Sequence, residues 1–149
     1  MNCLIDGLRV LLASNFVLYL KTHAAHWNVR GMFFYELHNL FEKQYQELWE
    51  QTDTIAEKIR QLDADVSLTP KDQLALSAIE SVQCVTDGSG YLKILLNDHN
   101  RMIFLLNKVF ELAEAEKNQA VMNYLADRLD SHAKMRWFLK ASLDKISLT

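Results

Sequence analysis

The sequence predicts an all-α fold: four long helices in a bundle, with one long crossover that contains a short helix. Three observations carry this expectation. Apolar side chains recur at helical spacing over long stretches, and no stretch of any length alternates as a strand does. Four Gly and one Pro in 149 residues are too few for a fold made of many tight turns. The breaks between the helical stretches are short, long and short, which makes helices one and two antiparallel neighbours, and likewise three and four.

The first helix is expected from about Leu4 to Asn28, on Leu4, Leu8, Leu11, Leu12, Val17, Leu18 and Leu20. Gly31, with Asn28 just ahead of it, breaks the pattern. The second runs from Phe33 or Phe34 to Leu62, on Leu37, Leu40, Phe41, Tyr45, Leu48, Ile55 and Ile59. From Asp63 to Gly88 the pattern weakens, and a structureless link of that length is uncommon. Pro70 therefore opens a short helix continuing from Lys71 to Ala78. The run Asp87-Gly88-Ser89-Gly90 is read as a second break. The third helix follows from Tyr91 to Glu116, then a turn at Lys117-Asn118-Gln119, then a fourth helix to about Ile146. One long crossover among four helices is the ferritin-like arrangement, whereas cytokine bundles have two.

Composition narrows the class further. Half the residues are hydrophobic and 23% are charged, which excludes a disordered chain, and residues 1–149 read as one domain. A net charge of −3 is mildly acidic, so charge alone implies no strongly cationic nucleic-acid binder. No uninterrupted apolar run reaches the ~18 residues of a membrane span, and no secretory leader is read at Met1–Asp6. Cys3 and Cys84 form no CxxC and are read as reduced thiols of a cytoplasmic protein.

Five potential metal ligands lie in one window: His26, His38, Glu42, Asp53 and Glu57. The pairs His38/Glu42 and Asp53/Glu57 are each four apart on the second helix, so all four fall within an arc of roughly 100°. Glu42 and Asp53 are nevertheless about 16 Å apart along the axis, too far to share one small centre within one chain. The pairs 38/57 and 42/53 share one midpoint, between residues 47 and 48. A second copy packed antiparallel across a two-fold there sets 38 against 57 and 42 against 53, making two equivalent sites. Each takes His38 and Glu42 from one chain and Asp53 and Glu57 from the other, with His26 completing it. Two imidazoles and three carboxylates suit iron, manganese or zinc, and iron where redox chemistry is wanted. An intrachain di-iron bundle needs two Glu-x-x-His motifs, and the sequence has none. A solvated face explains most such carboxylates, so the spacing alone leaves the metal site and a plain charged surface both open.

The residues His26-Trp27-Asn28-Val29-Arg30-Gly31, Phe34, Leu37-His38, Phe41-Glu42 and Asp53-Thr54-Ile55-Ala56-Glu57-Lys58-Ile59 resemble the core of the Dps miniferritins, the starvation-induced DNA-protection proteins. The similarity continues through Leu76-Ser77-Ala78-Ile79-Glu80, His132-Ala133-Lys134 and Trp137-Phe138-Leu139-Lys140-Ala141, and covers the chain from about Leu8. The resemblance implies a homo-dodecameric shell. Its ferroxidase sites lie at two-fold interfaces, oxidise Fe(II) preferably with hydrogen peroxide, and feed a stored ferric mineral. It assigns His26, His38, Glu42, Asp53 and Glu57 as metal ligands, with zinc as a substitute occupant. Glu42 stands where the family usually has Asp, which lengthens that carboxylate's reach. Trp27 matches the indole that follows a ligand in the family and is an auxiliary candidate for intercepting stray oxidising equivalents.

Two departures from the family matter. The first twenty residues hold one cation, Arg9, and the last ten hold only Lys140 and Lys145, so there is no basic arm and DNA binding is expected to be weak or absent. At the family's three-fold pores, Asn118, Gln119 and Asn123 stand where acids are common; Asp127 remains, with Glu114 and Glu116 nearby. Trp49 and Trp137 are read as packing residues, the methionines as core filler and His23 as structural. His99 and His132 have no partner at ligand spacing. The rival readings are a non-enzymatic DNA-protecting or structural shell with impaired ferroxidase activity, and a helical interaction protein whose acids are surface charge.

Overall fold

The computed structural model describes residues 3–67, 69–81 and 86–147; Leu68 and Cys84 lie outside them, as do the side chains of 145–147. Five helices follow in order: α1 (Cys3–Asn28), α2 (Phe34–Gln61), α3 (Pro70–Leu76), α4 (Gly88–Ala115) and α5 (Gln119–Ser147). α1 packs on α2 and α4, α4 packs on α5, and α3 lies against α1, giving the expected four-helix bundle with a short crossover helix. Leu8, Leu18, Phe41, Leu48, Ile55, Leu92, Leu95, Met102, Leu106 and Leu125 fill its centre, all essentially buried.

α1 is apolar nearly all round because three elements pack on it. By length and composition it could cross a membrane, yet half of that stretch is buried within the bundle and Ser14, Asn15, Thr22 and His26 are buried among its leucines. Ser14 also fastens the crossover: its Oγ accepts from Ala78 N at 2.9 Å.

Local chemistry sets the helix ends. Thr69 accepts from Asp72 N at 3.2 Å and Pro70 occupies the first turn, where its missing N–H costs nothing. α3 stops at Leu76, two residues before the expected end. The Asp87–Gly90 segment is a helix start and not a break. Asp87 caps α4 by accepting from Gly90 N at 2.7 Å, and Gly88 and Gly90 lie in the first turn. A Cβ on Gly88 would press on Leu37, and one on Gly90 on Thr86, so close packing accounts for these glycines. α2 and α4 both end in left-handed residues, Asp63 (φ 59°) and Lys117 (φ 54°). The amides of Ala64 and Asn118 reach back to Ile59 O and Ala113 O, closing the last turns. Asn118 then caps α5, its Oδ1 accepting from Val121 N at 3.1 Å.

Candidate metal centre

The α1–α2 connection brings the first two candidate ligands together. Gly31 takes φ 107°, and Phe34 N returns to Gly31 O at 3.1 Å. This tight reversal sets the last turn of α1 against the first turns of α2. His26 Nδ1 lies 2.9 Å from His38 O, and His38 Nδ1 lies 2.9 Å from His26 O. Carbonyl oxygens only accept, so both Nδ1 atoms carry the proton and donate. In the neutral tautomer this bonding selects, both Nε2 atoms carry the lone pair, the state a metal-ligating imidazole needs. The two rings stack at 3.8 Å, and His26 is 8% exposed.

The carboxylates are placed differently. Glu42 is half-buried, while Asp53 and Glu57 are exposed further along α2. None of the three is in an ion pair with another described residue. Within one chain, no three His, Cys, Asp or Glu side chains among the described residues converge as a metal-binding group. One protomer therefore joins His26 to His38 and leaves Asp53 and Glu57 apart from them.

Between the two groups lies an aromatic surface. Tyr19, Tyr45, Gln46, Trp49 and Glu50 line a shallow cleft of about 300 Å³. His23 stacks on Tyr45 at 3.8 Å, and its Nδ1 meets Tyr19 Oη at 3.1 Å, consistent with a structural role. Burial, then the neighbouring His26, holds His23 below the usual imidazole range. Trp27 lies against His23 at 4.0 Å but is 62% exposed. The packing role expected for Trp49 and Trp137 needs correction for the single chain. Both are more than half exposed, because they sit on outward helix faces. Met32 is likewise exposed, unlike the core residues Met102 and Met135.

A second polar group, not anticipated from spacing, lies inside the bundle. His99 on α4 and His132 on α5 meet at Nδ1–Nδ1 2.9 Å, both essentially fully buried. Arg128 donates to His132 Nε2 at 3.4 Å and to Glu47 at 2.8 Å. Burial, then the Arg128 guanidinium, pushes His99 down to about 3; burial, His99 and Arg128 together hold His132 well below its ordinary value. Only the four-residue step from Arg128 to His132 was visible in sequence, since His99 lies 33 residues from its partner.

A family model described as a ferritin-like domain matches residues 5–149. DNA protection during starvation protein 2 of Bacillus anthracis is 30% identical over 129 residues, which cover 87% of this chain and 88% of that protein. The crystal structure of antigen TpF1 from Treponema pallidum superposes with a TM-score of 0.89 at 30% identity, covering 94% of this chain and 90% of that one. A Dps protein from Vibrio cholerae O1, described as a member of a broad superfamily of ferritin-like diiron-carboxylate proteins, gives 0.90 at 28% identity, covering 94% and 88%. The single long crossover, the five-helix order and these relatives together make the chain a member of the Dps family of ferritin-like proteins.

Proposed function

We propose that the protein oxidises Fe(II) at sites shared between two copies and stores the ferric product inside a dodecameric shell. The observation that carries this reading is the reciprocal His26–His38 pair. It leaves two imidazole Nε2 atoms unprotonated on the α1–α2 side, beside a helix face bearing three carboxylates outside any ion pair with described residues. A two-fold near residues 47 and 48 brings Asp53 and Glu57 of a second copy to His38 and Glu42. The same contact covers Trp49 and the aromatic cleft, exposed apolar surface of a kind that marks an interaction site.

The donor set of imidazole nitrogens and carboxylate oxygens suits Fe(II) as substrate, with zinc able to occupy the same donors. Hydrogen peroxide accepts two electrons, one from each of two Fe(II) ions. Its O–O bond breaks, two protons are taken up and two waters form, so no hydroxyl radical is released. The carboxylates offset the charge of the oxidised iron before it hydrolyses and moves inward. Trp27 stands next to His26 in sequence and on His23 in space, within reach of stray oxidising equivalents. DNA association is weak on this reading, because Arg9 is engaged by Asp6 and by Asp65 O.

The test is anaerobic Fe(II) loading followed by peroxide, reading ferric absorbance for wild type and for Asp53→Ala/Glu57→Ala, with assembly mass measured on both. Rapid oxidation lost in a variant that still assembles supports the proposal. Wild-type oxidation no faster than buffer overturns it and favours a shell that protects DNA without ferroxidase chemistry.

A further inference from the structure

The His99–His132 pair lies outside the candidate metal centre, and its hydrogen bonds can be counted atom by atom. Arg128 can only donate, so His132 Nε2 is an acceptor and the neutral ring carries its proton on Nδ1. That proton is given to His99 Nδ1, so the proton of His99 sits on Nε2. His99 Nε2 is buried and has no hydrogen-bond partner among the described residues. The cluster therefore already holds one N–H more than it has acceptors for. A further proton on His132 must displace the Arg128 N–H. A further proton on His99 must set two Nδ1–H groups against each other at 2.9 Å. Either one leaves an imidazolium with Arg128 as its nearest charge.

The neighbouring elements do not offset this. Glu47 of α2 is bound to Arg128, and Gln44 of α2 donates to Met135 O. On α1, Lys21 is paired with Asp98, the residue before His99. Tyr124 of α5 donates to Gln51. Among the described residues, no carboxylate contacts either ring.

We propose that His99 and His132 form an acid-sensitive latch between α4 and α5, which holds while both rings are neutral and takes up its two protons only when the bundle opens. Unfolded histidines bind protons below about pH 6.5, so the latch is fully effective above that pH and its contribution is lost as pH falls below it. Well below pH 6.5 two protons lower the ratio of folded to unfolded chain by about 100-fold per pH unit, which makes about 1000-fold in all between pH 8 and pH 5.

The experiment is denaturant unfolding of the full chain at pH 8, 7, 6 and 5, at one protein concentration, for wild type and for His99→Gln/His132→Gln. The wild-type ratio is expected to fall about 1000-fold further than that of the variant; equal falls overturn the latch. Solid-state NMR of ¹⁵N-histidine-labelled wild type decides the matter even where the variant does not fold. The latch requires the Nδ1–H tautomer of His132 and the Nε2–H tautomer of His99, both unchanged down to the onset of unfolding. Reversible titration of the His99 or the His132 ring near pH 6 in the folded protein overturns it.

Discussion

The protein contains two histidine pairs, and their rings are bonded in opposite ways. His26 and His38 spend their Nδ1 protons on each other's backbone carbonyls and keep both Nε2 lone pairs open. His99 and His132 spend their Nδ1 atoms on each other, and Arg128 takes the Nε2 of His132. No described charged residue bonds to the first pair's rings, whereas a guanidinium bonds to the second's. An imidazole's second nitrogen and its nearest charge thus decide whether a pair can bind a cation or serves to hold two helices together.

This contrast breaks first where it is most buried. His132→Ala leaves the buried His99 Nδ1 without its partner, takes from Arg128 one of its two, and opens a cavity. Chemical denaturation is expected to show a loss of roughly 3–5 kcal/mol. His38→Ala removes a proposed ligand from a half-buried position and is expected to change stability far less. It is expected to weaken Fe(II) or Zn(II) binding at least about 100-fold, measured by anaerobic calorimetry. An equal loss of stability in the two variants erases the distinction between the pairs. Asp87→Ala, at the capped start of α4, costs about 1 kcal/mol in the same denaturation assay and leaves metal binding unchanged. Lys117→Gly relieves the left-handed backbone after α4 and raises stability by about 0.5–1 kcal/mol, a small rise in melting temperature.

The two pairs also differ in how far the sequence announced them. His38/Glu42 and Asp53/Glu57 are local, four-residue steps on one helix, and their common midpoint needs only counting. The fold was legible for a similar reason. Long helices with apolar stripes, two short connections and one long one admit few arrangements. The reciprocal bonding of His26 and His38 was not legible, because it depends on how Gly31 turns the chain. His99 and His132 were invisible because their contact joins two helices, and periodicity reports a face but not its neighbour. The helix start at Gly88 was read as a break because glycine usually signals a turn, whereas here its small size admits Leu37 and Thr86. Trp49 and Trp137 illustrate the remaining gap. A large apolar side chain on a helix does not of itself state that its own chain buries it.

On the proposed reading each site draws His38 and Glu42 from one chain and Asp53 and Glu57 from another, and complementation checks that division. Asp53→Ala/Glu57→Ala and His38→Ala/Glu42→Ala are each expected to abolish peroxide-driven Fe(II) oxidation. When the two variants are refolded together, random pairing puts them on opposite sides of half the two-folds. Each such pair holds one intact site of two, so about a quarter of the wild-type rate returns. A mixture that stays as inactive as either variant, at unchanged assembly mass, contradicts the shared site.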